Sequence, residues 1–133
     1  MKGERKEFYI PPDASSRRSV FVERALSARE IGSGNVDVLA TPMMIALMEA
    51  AALDAVQTYL PEGWTTVGTK VELEHLRATP LGDEVTAEAS LIKQEGRRLD
   101  FNVIALDSRG LIGQGHHQRS IIDTREFMDK LGD

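Results

Sequence analysis

The stretch VLATPMMIALMEAAALDAV, residues 38 to 56, constrains the fold more than any other part of the chain. From Pro42 to Val56 only Glu49 and Asp54 are charged, and Ala50, Ala51 and Ala52 are small enough to let another element approach closely. Thr41-Pro42 is a helix start, because a threonine hydroxyl at the N-cap accepts free backbone N–H groups and proline fits the first helical position. Pro61-Glu62-Gly63 ends the segment, so the sequence predicts a helix running to Thr58 or Tyr59. A helix apolar nearly all round is one wrapped by protein. Glu49 contradicts that pattern: a buried, unpaired carboxylate costs several kcal/mol or takes up a proton. It needs a partner, a route to solvent or a chemical task.

Downstream the period changes from helical to two. In VGTKVELEHLRA, residues Val67, Thr69, Val71, Leu73 and His75 are predicted to share the inward face, with Lys70, Glu72 and Glu74 on the wet one. Thr79-Pro80-Leu81-Gly82-Asp83 is a turn, after which Val85, Ala87, Ala89 and Leu91 alternate inward. Glu95-Gly96 makes a hairpin turn, and Leu99, Phe101, Val103 and Ala105 return on one side. The last strand, LIGQGHHQRSIID, carries Gly113 and Gly115, which predict a bulge or a close backbone approach. TREFMDKLGD reads as a short terminal helix or a fraying tail. Ahead of the long helix, SVFVERAL alternates as a strand and SAREIGSGNVDV reads as a mobile loop.

The predicted order is therefore a strand, a long buried helix and four antiparallel strands in hairpin succession, with no repeat and no linker between domains. One strongly curved antiparallel sheet wrapped around one apolar helix is the α+β arrangement known as the hot-dog fold, here as a single domain over residues 1–133. Its open sheet edges make pairing through a continuous sheet in a dimer plausible.

A net charge of −5 gives no general electrostatic reason to bind nucleic acid or an acidic membrane surface. The N-terminus lacks the apolar run of a signal peptide, and the longest apolar stretch, Pro42 to Met48, is interrupted by Glu49 well short of a membrane span, so a cytoplasmic location is expected. The chain has no cysteine, which excludes disulfides, thiolate nucleophiles and cysteine metal sites. His116-His117 with His75 is the one histidine set that could suggest a metal, but adjacent strand residues point to opposite faces and no further ligands are apparent, so no metal is expected.

Three polar residues stand where the pattern calls for apolar ones: Thr41, Glu49 and His75. Thr41 alone is most simply an N-cap, Glu49 a structurally paired charge and His75 a hydrogen-bonded core histidine. Together they have a chemical reading. A carboxylate near an imidazole yields an acid or base usable near neutral pH, and a hydroxyl at a helix N-terminus can hydrogen-bond a carbonyl on which charge develops. Those parts suit acyl transfer. Thr41 and Glu49 are separated by roughly 12 Å along the helix axis, so they meet only across a substrate or a second subunit. Arg119 shares the inward parity of His117 and Ile121, where it could meet a phosphate.

VLATPMMIALMEAAALDAVQTYL, VGTKVELEHLRATPLGDEVT, EGRRLDFNV and GQGHHQRSII, in that order and spacing across residues 36 to 128, resemble the fluoroacetyl-coenzyme A thioesterase family of the hot-dog superfamily. The resemblance implies that Thr41, Glu49 and His75 are the catalytic residues, with Gly68 beside the thioester through its backbone and Arg119 near the coenzyme A side. It implies hydrolysis of a small or medium acyl-CoA, with coenzyme A as part of the substrate and no separate cofactor. It also implies a homodimer with interfacial sites. Glu49 would act as nucleophile or as base for water, His75 as the proton carrier paired with it, and Thr41 as donor at the carbonyl. The family's fluoroacetate-specific enzyme has phenylalanines in a lid over the acyl pocket, whereas SAREIGSGNVDV has no aromatic residue. The rival from another class is an acyl-CoA binding or sensing module without turnover. An enoyl hydratase is a further rival, but its Asp-x-Asn-Pro-x-His signature is absent.

Overall fold

Alternation decides the centre of the sheet. In the computed structural model, which describes residues 7–132, strand β3 (Glu84–Glu95) buries Val85, Ala87, Ala89 and Leu91. Strand β4 (Arg98–Asp107) buries Leu99, Phe101, Val103 and Ala105. These two faces supply the floor on which the long helix α2 (Thr41–Gln57) lies through Met44, Met48, Ala51, Ala52, Ala55 and Val56. Ala51 and Ala52 are fully buried, and their small side chains let the helix backbone approach the sheet. The other elements are β1 (Ser15–Phe21), a 3-10 turn at Arg24–Leu26, the single-turn helix α1 (Ala28–Ile31), β2 (Trp64–His75), β5 (Gly110–Asp123) and α3 (Thr124–Leu131).

All strand pairs are antiparallel, in the order β1-β3-β4-β5-β2. The hairpins β3–β4 and β4–β5 form as expected, with Gly96 and Gly110 at positive φ. Succession fails at one point: β2 pairs with β5, not with β3. Its exit segment 76–83 crosses the end of the sheet, bridging Val38 through Pro80 and accepting Leu39 N–H at the Thr79 carbonyl (2.9 Å). A crossover leaves no tight turn between the two strands. The first strand also lies earlier than alternation suggested, because Arg24–Leu26 turns away after Phe21. The expected loop contains helix α1, capped by Ser27, whose hydroxyl accepts from Glu30 N–H, and closed by Gly32 at φ 86°.

Parity in β2 departs from simple alternation. Gly68 pairs with Arg119 and Lys70 with Gln118, so Thr69 is one residue too many on its strand. Such a bulge switches which residues face inward. Thr66 and Gly68 face the helix before it, and Leu73 and His75 after it; Thr69 instead donates to the Gln118 carbonyl (3.1 Å). Opposite β2, Gly113 and Gly115 are the predicted close approaches. A Cβ on Gly113 would lie 2.6 Å from Met44 Sδ, and one on Gly115 would strike the Glu72 carbonyl and Leu73 Cα.

The helix is not wrapped on every side. Thr41, Pro42 and Ala46 are exposed, and Met43, Ile45, Leu47 and Ala50 are only partly covered. Asp54, its second charge, is bound by Arg18 of β1 at 2.9 and 3.2 Å. Helix α3 is capped by Asp123, which accepts from Glu126 N–H at 3.1 Å.

Candidate active site

The residues expected to act together fall into two groups within one chain. At the start of α2, Thr41 Oγ1 and His75 Nδ1 are hydrogen-bonded at 2.7 Å. This corrects the expected N-cap: Ala40 is the N-cap without any side-chain bond, and Thr41 lies within the first turn. Its hydroxyl is therefore free to serve His75. A hydroxyl both donates and accepts, so the bond survives either imidazole tautomer.

His75 is the last residue of β2, and its Nε2 is buried without a hydrogen-bond partner of good geometry among the described residues. Burial holds the imidazole below its ordinary pKa, with the Arg77 backbone acting weakly in the opposite direction. Ala28, Ser33, Val36, Leu39, Thr41 and His75 contribute to the wall of an open depression of about 370 Å³ beside this pair.

Two helical turns on, Glu49 finds both a route to solvent and partners. Its side chain is 40% exposed, and Oε2 lies 3.5 Å from Arg119 Nη1 and 3.9 Å from His117 Nε2. The imidazole beside this carboxylate is thus His117, where His75 was expected. Gly68 lies against the same carboxylate, and a Cβ there would collide with Glu49 Oε2 and come within 3.1 Å of His117 Cε1.

Arg119 is 6% exposed, and its donors are engaged inside the chain. Nε donates to Thr66 Oγ1 (2.8 Å), Nη2 to the Thr66 carbonyl (3.0 Å) and Nη1 to His117 Nε2 (3.0 Å). His117 Nδ1–H donates to the Lys70 carbonyl (2.8 Å). The imidazole is therefore neutral, with Nε2 as acceptor. Burial lowers its pKa, the Lys70 bond and Glu49 oppose that, and Arg119 adds to it. Burial also lowers the Arg119 pKa, against the attraction of Glu49.

Sequence reasoning gave Thr66 no role and singled out His117 only as a doubtful metal ligand. The parity shared by His117, Arg119 and Ile121 was the available signal, since all three are buried on one face of β5. Among the described residues no group of histidine, aspartate and glutamate side chains could hold a metal ion, and no helix is long and apolar enough to cross a membrane.

A family model described as fluoroacetyl-CoA-specific thioesterase, FlK, matches residues 22–125. The chain belongs to that family. It is 41% identical over 95 residues to a fluoroacetyl-CoA thioesterase of Streptantibioticus cattleyicolor, covering 71% of this chain and 68% of that one. A solved structure of the fluoroacetyl-CoA thioesterase FlK superposes with a TM-score of 0.86 at 32% identity, covering 92% of this chain and 96% of the other. A thioesterase superfamily member from Thermus thermophilus gives 0.85 at 29% identity, with 92% and 91% covered. The fold is the hot-dog fold, and this thioesterase family member is a thioester hydrolase acting on acyl-CoA.

Proposed function

We propose that the substrate is a small or medium acyl-CoA and that the active site is composite, built where two copies of the chain meet. The observation that carries this reading is the state of Glu49. The carboxylate stands 40% exposed on a largely apolar helix, with Arg119 3.5 Å away. A carboxylate so placed is accessible to an incoming thioester and oriented from behind by a cation that Thr66 holds in place.

Glu49 attacks the thioester carbonyl or removes a proton from the attacking water, and Gly68 gives the acyl carbon room to approach because it has no side chain. Thr41 donates to the carbonyl oxygen, and His75 carries the proton delivered to the leaving thiolate. Both tasks suit a pair already joined at 2.7 Å. Within one chain no hydrogen bond or ion pair joins Glu49 to His75, so Glu49 of one copy works with Thr41 and His75 of another. Arg119 and His117 position Glu49. The partly covered apolar side of α2 and the open edge of β2 support a homodimer as the assembly that brings the halves together. Location in the cytoplasm completes the reading.

The test is thiol release from acetyl-, fluoroacetyl-, branched, aromatic and longer acyl-CoA substrates by wild type, His75→Ala and Glu49→Gln. Equal mixing of the two variants adds a readout of the composite site. Subunit exchange should restore activity in mixed dimers, which keep one intact site. Activity absent from both variants and from the mixture would place all the groups in one chain, and release undiminished in either variant would overturn the assigned roles.

A further inference from the structure

We propose that Asp107 is a positioning residue for the reaction, acting on Thr41 and His75 together although it touches neither. The inference rests on the catalytic roles proposed for that pair. Asp107 ends β4, and its side chain is fully buried. Oδ1 accepts from Arg77 Nη2 (2.9 Å) and Arg109 N–H (2.8 Å), while Oδ2 accepts from Thr79 Oγ1 (2.8 Å) and Arg77 Nη1 (3.3 Å). One carboxylate thus gathers the β4–β5 turn and two points of the segment leaving β2.

Both points lead to the catalytic pair. Arg77 is two residues beyond His75, where the strand has ended. Its backbone N–H and that of Leu76 share the Ile112 carbonyl at 3.4 and 2.7 Å. Thr79 is fully buried, and its carbonyl accepts Leu39 N–H at 2.9 Å, two residues ahead of Thr41. Asp107 therefore fixes the chain just after the histidine and, through Thr79, the chain just before the threonine. Their 2.7 Å contact joins segments 34 residues apart in sequence, and this cross-tie adds to the Val38–Pro80 bridge in holding them in register.

Arg77 and Thr79 are not spare structural donors. Burial alone would raise the Asp107 pKa, yet the bonds from Arg77, Thr79 and Arg109 bring it below the ordinary value, so the ionised form is the one the network is built around. Misplacing a reacting group by a fraction of its contact distance costs rate far more than it costs substrate binding.

The test compares Thr79→Val, which removes one arm isosterically, with Thr79→Ser, which keeps the hydroxyl, and with Asp107→Asn. Steady-state kinetics on the best acyl-CoA substrate are paired with imidazole 15N chemical shifts of His75, assigned through His75→Ala. Thr79→Val should lower kcat roughly ten- to hundredfold with little change in KM, and should shift the His75 Nδ1 resonance. Thr79→Ser should restore both. Wild-type kcat and an unmoved resonance in Thr79→Val, with only a lower melting temperature, would overturn the proposal and leave Asp107 a fold-stabilising group. Should Asp107→Asn fail to fold, the Thr79 pair decides alone. Because the resonance is read without substrate, absence of thiol release in wild type would remove the proposed function while the tether is still tested.

Discussion

Gly68 and Glu49 face each other across the β2–α2 contact so closely that no side-chain carbon fits between them. The glycine is not required by its backbone, which does not adopt a positive φ. Space for the carboxylate is what it supplies. Gly68→Ala should therefore leave the melting temperature nearly unchanged while lowering kcat by at least about tenfold, since ~1.4 kcal/mol of transition-state stabilisation is enough for that loss. Kinetics and thermal unfolding of the same preparation check it.

Arg119→Ala should destabilise by about 1–3 kcal/mol, mainly by stranding the Thr66 hydroxyl and carbonyl and His117 Nε2. The Glu49 interaction adds little to that sum, because its exposed carboxylate is screened by solvent. Arg119→Lys should recover only part, as an ammonium cannot reproduce the planar fork. Urea midpoints at constant m-value read both.

Acid should destabilise the protein before carboxylates begin to titrate. His75 and His117 are both held below the ordinary imidazole value by burial. The unfolded chain takes up protons at about pH 6.5 while the folded one resists, so the unfolded state binds more protons as pH falls through that value. The contribution is present above about 6.5 and is lost as pH drops through the folded pKa values. Asp107, also lowered in the folded state, adds a loss of the same sign at more acidic pH. Unfolding midpoints at pH 7.5, 6 and 5 should decline in order, and His117→Gln should flatten the upper part of the slope.

The two close-packed glycines of β5 should differ in tolerance. Gly113→Ala meets chiefly the end of the buried Met44 side chain, which must repack at a cost of about 1–3 kcal/mol, and approaches the Glu74 carbonyl only to 3.2 Å. Gly115→Ala meets backbone of β2, which cannot repack. Soluble expression of the first with a lowered melting temperature, and failure of the second, is the expected outcome.

Much of the fold was legible because β3 and β4 are covered by the helix on one face and wet on the other, which writes period two directly into Val85–Leu91 and Leu99–Ala105. The pairing of β2 with β5 was not legible, since alternation specifies a face and never a neighbour. At the site, Thr41 and His75 could be picked out as polar residues in apolar positions, and the structure places them in contact. Thr66 escaped because the extra residue Thr69 reverses the parity on which its exposure would be judged. His117 was half visible: its inward face could be read, but its relation to Glu49 depends on two segments whose spacing in sequence carries no distance. Asp107, at the end of a strand and before a turn, looks like any solvated turn residue until Arg77 and Thr79 are seen to close over it.

The bulge at Thr69 makes the length of β2 a functional quantity. Before it, the strand offers Thr66 and Gly68 to the Glu49 end of the helix; after it, the same strand offers His75 to the Thr41 end. With Thr69 kept in the ladder, an unbulged strand of alternating faces could satisfy one end only. Deleting Thr69 would remove the surplus residue itself, leaving Gly68 opposite Arg119 and Lys70 opposite Gln118 in plain alternation with both sets still inward, whereas straightening the bulge with Thr69 kept in the ladder would turn one set away from the other. Among related sequences, a gap at this position should accordingly leave both ends of the helix served by the same strand, now without a bulge.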